Sequence, residues 1–197
     1  MAATKKSKTT SSKSRATKSG SAKSSGAKAK AAPAPSTKSV KPSLKDQLVG
    51  ELKLAYRMEL ETVINYLSNS VHLDGILAQE VKESLKGDIN EELGHARQLA
   101  ERLKILNADV PGSLELTFDQ ASIQPPADTT DVLSVIKGVI DAEKSAIAQY
   151  NKLIELADDA DDYVTEDVCV QILAEEQHHL REFEGYYKDL KARPALR

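Results

Sequence analysis

Four glutamates occupy places in this 197-residue sequence where the apolar face of a helix calls for leucine. Leu52, Glu59, Tyr66 and Leu73 are spaced by sevens, and so are Leu85, Glu92, Leu99 and Leu106. Ile136, Glu143 and Tyr150 make a third line, and Cys169, Glu176, Phe183 and Leu190 a fourth. Residues at this spacing share one face of a helix, so each glutamate is directed into the core with its apolar neighbours. His95 and His179 each follow a core glutamate by three residues, which sets carboxylate and imidazole side by side on that face.

The lines are a repeat. Displaced by 84 residues, Glu59 falls on Glu143, Tyr66 on Tyr150, Glu92 on Glu176 and His95 on His179, with no relative slip. Four buried carboxylates without partners would mostly protonate or prevent packing. Two divalent cations balance four carboxylates, and two neutral imidazoles complete their coordination. Oxygen and nitrogen donors without a thiolate suit iron or manganese, and zinc less specifically. The candidate metal ligands, and with them the candidate catalytic residues, are therefore Glu59, Glu92, His95, Glu143, Glu176 and His179. Glu92 and Glu176 are expected to bridge two metals, with each histidine binding one and Glu59 and Glu143 as the outer carboxylate ligands.

The fourth line has a rival pair, since Glu175 and His178 share the same spacing. Glu175, however, lies in line with Val168, Glu182 and Asp189, a mostly polar set, whereas the repeat selects Glu176 and His179. Glu61, Glu91, Glu175 and His178 are read as outer residues that surround the ligands of the centre without binding metal, and His72 as a helix-end or surface residue. Tyr66 and Tyr150 each lie two turns beyond a glutamate. They are either core side chains whose hydroxyls bond a carboxylate or redox groups.

Breakers divide the sequence into four long helices, expected over 44–73, 76–106, 131–157 and 163–191. Ser43 with Asp46 three residues later opens the first as a capping box with Asp in place of Glu. Asp74-Gly75 and the acidic "DDADD" make tight turns, so each helix pair forms an antiparallel hairpin. The second and third helices are separated by about 25 residues containing Pro111, Gly112, Pro125 and Pro126, which cannot form one helix. The expected fold is all-α: a four-helix bundle with one long crossover between the second and third helices. An ordinary up-down bundle with a loose loop is the alternative.

The formal net charge of −3 conceals a split. Residues 1–45 hold twelve Lys or Arg and no acid, while the other 152 residues hold 15 basic and 30 acidic side chains. Residues 1–43 are almost entirely Ala, Ser, Thr, Lys, Gly and Pro, too polar to offset their ordering entropy, so a disordered tail is expected there. The helical domain is expected over 44–193. Twelve charges on an acid-free segment make nucleic acid the expected partner of the tail, with a merely solvated extension as the alternative. Lysine meets phosphate as a point charge and the tail has no aromatic side chain, so neither base specificity nor stacking is expected. Cys169 is the sole cysteine, which excludes an internal disulfide and a Cys-x-x-Cys metal site. No apolar run approaches the roughly 20 residues of a membrane span, and without the apolar stretch of about 7–15 residues of a secretory signal, export by that route is not expected. An organelle targeting segment, Ser-rich and poor in acids, is the alternative reading of the tail, against which stands a single Arg, Arg15, among its lysines. A cytoplasmic protein without membrane contact is expected, nucleoid-associated where its tail engages DNA.

Four segments carry a resemblance: "ELETVINY", "EELGHARQLAERLKIL", "EKSAIAQY" and "EEQHHLREFE". Together they make residues 44–190 resemble the ferritin-like superfamily, bacterioferritin most closely, in which two helices give one Glu each and two give Glu-x-x-His. The resemblance implies two iron ions per subunit in a ferroxidase centre that oxidises Fe(II) with dioxygen or peroxide, in a homo-oligomer suited to iron storage. Haem-binding bacterioferritins carry methionine immediately after the second-helix glutamate; Leu93 stands there, so haem is not expected. Their short fifth helix has no counterpart before this sequence ends at "KARPALR", so the 24-subunit cage is not carried over. The cysteine-bound iron module of rubrerythrins is excluded by the single cysteine. The basic tail resembles those of linker histones and of some DNA-protecting mini-ferritins. The same ligand set also fits a di-metal peroxidase or a manganese catalase, and a nucleic-acid-organising protein with an assembling bundle is the reading from a different class.

Overall fold

The computed structural model describes residues 42–193. Residues 1–41, which make up nearly all of the expected basic tail, lie outside the described residues, as do 194–197. Regular structure within 42–193 is helical: α1 (Leu44–His72), α2 (Gln79–Ile105), α3 (Val132–Asp159) and α4 (Tyr163–Ala192), with short 3-10 turns at Ile76–Ala78 and Ala121–Ile123.

Local chemistry sets the boundaries. Ser43 Oγ accepts the Asp46 amide at 3.1 Å, and Asp46 Oδ2 accepts the Ser43 amide at 3.1 Å, which is the reciprocal capping box. Past α1 the chain reverses through Gly75, whose φ of 94° is left-handed backbone that a side chain would strain. No Ser, Thr or Asp caps the next helix, which begins with the 3-10 turn; α2 therefore starts three residues later than the sequence pattern predicts. Asp131 caps α3 by accepting the Ser134 amide at 3.0 Å, and Asp162 caps α4 by accepting the Thr165 amide at 3.2 Å. Of "DDADD", Asp158 and Asp159 extend α3, and the turn itself needs only Ala160 to Asp162, with Asp161 at φ 53°.

Side-chain contacts give the packing directions. Tyr66 donates to Glu143 and Tyr150 to Glu59, so α1 and α3 run antiparallel. Ser84 with Glu182 and Arg102 with Asp162 show the same for α2 and α4. The crossover must then return from the start of α1 to its end, and it does so along α1 itself. Arg57 Nη1 donates to Thr117 O at 2.7 Å, Glu61 Oε1 accepts the Gln120 amide, Asn69 Nδ2 donates to Ile123 O at 2.7 Å, and His72 Nε2 contacts Pro126 O at 2.7 Å. This polar ladder satisfies a connection that would otherwise carry unpaired backbone groups. The bundle therefore has the long, attached crossover of the ferritin-like fold rather than a loose loop.

The core is divided. One apolar cluster contains Tyr66, Leu73, Leu85, Ile136, Val139 and Phe183, the other Leu48, Leu52, Leu99, Leu103, Leu153 and Cys169. Between them lies a layer of buried polar side chains, and all four glutamates of the repeat are in it.

Candidate metal centre

Each of the four helices contributes to this layer from its buried face. Glu59 comes from α1, Glu92 and His95 from α2, Glu143 from α3, and Glu176 and His179 from α4; none is more than 2% exposed. Their donor atoms form two groups: Glu59, Glu92, His95 and Glu176 in one, and Glu92, Glu143, Glu176 and His179 in the other. Within each group one donor atom per residue lies within 4.8 Å of all the others.

Glu92 and Glu176 belong to both groups, and their two oxygens are divided between them. His95 Nδ1 faces Glu176 Oε1 at 3.1 Å and Glu92 Oε2 at 3.4 Å. His179 Nδ1 faces the opposite oxygens, Glu92 Oε1 at 3.4 Å and Glu176 Oε2 at 3.8 Å. The imidazole centroids are 6.5 Å apart. The 84-residue repeat is therefore a two-fold relation in space, with each hairpin completing the other's site.

The surroundings follow the same symmetry. Tyr66 of α1 bonds Glu143 of α3, and Tyr150 of α3 bonds Glu59 of α1. His95 Nε2 lies 2.5 Å from Glu175 Oε2, and His179 Nε2 lies 3.2 Å from Glu91 Oε2. A carboxylate only accepts, so Nε2 carries the proton in each ring and Nδ1 is the nitrogen turned to the centre.

Whether cations fit is decided by what these atoms lack. Among the described residues, Glu92 Oε1 and Oε2, Glu176 Oε1, His95 Nδ1 and His179 Nδ1 are all buried without a hydrogen-bond partner. They approach one another within 4 Å yet are not aligned to bond, because they converge on shared points. Buried polar atoms are nearly always paired, so five orphans around two points are the signature of missing positive charge. An oxygen and nitrogen set of this kind fits a pair of divalent cations.

Without cations, protons take their place. Burial holds the carboxyls of Glu59 and Glu143 well above the usual range, with the charge of Glu176 and Glu92 adding to the shift. Burial also pushes Glu92 up, but the facing imidazoles of His179 and His95 outweigh it and bring its pKa down to about 2. Glu176 is lowered in the same way: burial and Glu92 raise it, and the two histidines prevail. For the imidazoles, burial works against charge, yet the facing carboxylates win; Glu176, Glu59 and Glu92 raise His95 far above its usual value, and Glu176 and Glu92 push His179 up to about 12.

The other sequence-singled residues go elsewhere. Glu91 and Glu175 bond the imidazoles from outside, while His178 is exposed. Glu61 is not at the centre at all; it ties the crossover to α1 through the Gln120 amide and lies 3.4 Å from Arg57 Nη1. Sequence reasoning missed Asp88, which is 7% exposed and whose Oδ1 lies 4.0 Å from His179 Nε2. The sequence carried only part of the signal: Val81, Asp88, His95 and Arg102 are spaced by sevens, and it is the fold that buries all four.

A crossover bundle with a buried carboxylate and imidazole layer defines a class, the ferritin-like carboxylate proteins. Residues 49–192 match the ferritin-like domain family, and the chain belongs to it. It is 25% identical over 147 residues to a bacterioferritin of Desulfovibrio desulfuricans, covering 75% of this chain and 78% of that protein. The crystal structure of the D. desulfuricans bacterioferritin, described by its diiron site in different catalytic states, superposes with a TM-score of 0.65 at 24% identity, over 75% of this chain and 82% of that one. A ferritin-like diiron-carboxylate protein of Bacillus anthracis superposes with a TM-score of 0.66 at 22% identity, over 75% of this chain and 99% of that one. A bacterioferritin-related protein of Bacteroides fragilis, described as a dodecameric thioferritin, gives 0.64 at 22% identity, over 75% and 88%. Among the described residues no helix is long and apolar enough to cross a membrane.

Proposed function

We propose that this protein is a ferroxidase that binds Fe(II) at the carboxylate and imidazole layer and oxidises it with dioxygen or hydrogen peroxide, for iron sequestration. The observation that carries the reading is the convergence of five unpartnered buried atoms on two points, in a chain homologous to a bacterioferritin. Two iron ions held side by side would supply two electrons to a single oxidant molecule. Glu92 and Glu176 would hold the pair, since each presents one oxygen to the His95 side and one to the His179 side. Glu59 and Glu143 close the two positions, and the Tyr150 and Tyr66 hydroxyls orient those carboxylates by donating to them. Glu175 and Glu91 fix the proton of each imidazole on Nε2 and keep the Nδ1 lone pair inward. The apolar clusters on either side exclude bulk water. Fe(II) oxidation followed by ferric absorbance, with each oxidant in turn, tests this: rates should exceed those of protein-free iron and collapse in Glu176→Ala. No acceleration by the wild-type chain contradicts it.

Haem is not part of the proposal, because Leu93 stands where haem-binding bacterioferritins carry methionine; protein purified after haem supplementation should show no Soret band. The tail and the helical domain are proposed to act separately, with residues 1–43 contacting nucleic acid and 44–193 handling iron. Assembly with copies of itself is also proposed, since α1 leaves Ile64, Leu67 and Val71 48%, 55% and 73% exposed along one stripe. Sedimentation of the purified chain tests that.

A further inference from the structure

The two-fold relation fails at one place next to the imidazoles. His95 Nε2 meets one carboxylate, Glu175, at 2.5 Å. His179 Nε2 faces two, Glu91 Oε2 at 3.2 Å and Asp88 Oδ1 at 4.0 Å. The counterpart of Asp88 in the repeat is Ile172, which is buried in an apolar cluster. Glu182, one turn beyond His179, likewise answers to Gln98, so the extra acid lies entirely on the His179 side.

Asp88 differs from the other outer carboxylates in its environment. The side chains of Glu91 and Glu175 are 57% and 53% exposed, so water screens their charge. Asp88 is buried between α2 and α4, and its Oδ2 has no hydrogen-bond partner. Burial pushes the Asp88 carboxyl up to about 7, with His179 drawing it back down, so above that pH Asp88 carries a charge that acts through a lower effective dielectric than an exposed one at equal distance. The shorter Glu175 contact strengthens one bond to His95; it adds no second charge behind that ring.

We propose that Asp88 makes the two positions of the centre unequal, so that a divalent cation binds more tightly on the His179 side and fills it first. The inference rests on the two-metal reading above. Asp88 is a positioning residue: Glu91 accepts the hydrogen bond from His179 Nε2, and Asp88, at 4.0 Å, acts through the field it adds behind that ring. Outer carboxylates of this kind typically change metal affinity by about 10- to 100-fold, so the two binding steps should be separated by about tenfold or more. Order of filling then follows from the chain itself: the first Fe(II) occupies the His179 side, and the second arrives at the His95 side beside a bound cation.

Anaerobic titration of the full chain with Co(II), read by calorimetry and by the visible absorbance of the bound ion, tests this without turnover. The wild type should bind two ions in two resolved steps. Asp88→Asn, nearly isosteric, should still bind two but merge the steps, and Asp88→Glu should restore the separation. Glu175→Gln should widen the gap by weakening the other position, an opposite effect that a general loss of packing would not produce. His179→Gln should remove the tight step and His95→Gln the weak one. Two equal steps in the wild type, or unchanged separation in Asp88→Asn, overturn the inference and leave the two-metal centre standing. Binding of no ion overturns both.

Discussion

Replacing Gly138 by alanine should destabilise this protein, although the same change in an exposed helix ordinarily stabilises it by about 1 kcal/mol. Gly138 lies in α3 where the crossover passes over it. A Cβ built there would sit 2.3 Å from Ser122 O and 3.0 Å from Ile123 Cα, both backbone atoms of the 3-10 turn. Relief requires the turn to withdraw by about 1 Å, since carbon contacts settle near 3.5 Å. Ile123, now 1% exposed, would lose part of its packing, and the bond from Asn69 Nδ2 to Ile123 O at 2.7 Å would lengthen. Overpacking of this kind costs about 1–3 kcal/mol, and weakening one buried hydrogen bond about 1 kcal/mol more. Against the helix gain, a net loss of about 1–3 kcal/mol remains, or a fall in Tm of roughly 3–10 °C for a domain of this size. Gly50→Ala is the control, because nothing lies within 4 Å of a Cβ there. Urea unfolding of the two variants beside the wild type should give changes of opposite sign. Stabilisation of both would refute the close approach of crossover and α3.

Removing a carboxylate shared by both groups, Glu92→Ala or Glu176→Ala, should abolish the paired binding, whereas Glu91→Gln or Glu175→Gln should keep two metals with affinity lower by about 10- to 100-fold; equal loss in all four would defeat the assignment. The proton-holding groups give a pH prediction. Glu59, Glu143, His95 and His179 are all raised in the metal-free fold, so their contribution to stability is present below their unfolded pKa values and is lost as pH rises through the folded ones. Cations displace those protons, so metal binding gains as pH rises. The Tm difference between Co(II)-loaded and metal-free protein should therefore grow from pH 6 to 8, and a constant difference would contradict the proton-for-metal exchange. For the tail, if about half of its charges meet phosphates, log affinity for DNA should fall with log salt at a slope near about −5. Deleting residues 1–43 should remove DNA binding in gel shifts and leave Fe(II) oxidation unchanged; equal binding by the truncated chain would assign the tail another task.

The sequence lines at intervals of seven were enough to locate the core, since Leu52, Glu59, Tyr66 and Leu73 are all fully or nearly fully buried. Helix ends were legible where a cap is written locally, as at Ser43 and Asp131. They shifted where none is, as at the start of α2. The repeat brought out the six candidate ligands because both hairpins need the same side chains at the same depth. Glu91 and Glu175 also answer to each other at 84 residues, which is why each reaches the other hairpin's imidazole. What was not legible depends on partners remote in sequence. Glu61 looked like an outer residue of the centre and instead carries the crossover, because a loop's path is set by the surface it lies on. Gly138 gave no signal, since its meaning lies in the backbone of residue 122. Asp88 stood on a buried line, but an acid between apolar lines resembles an ordinary surface position until the packing of α2 on α4 is known.

Anaerobic Fe(II) titration of the metal-free chain, followed by admission of oxygen, tests the central claim most directly. Saturation at two Fe(II) per chain, followed by rapid appearance of ferric absorbance in proportion to the iron bound, is the predicted result. Failure to bind Fe(II), or binding that oxygen oxidises no faster than iron free in the same buffer, would contradict it.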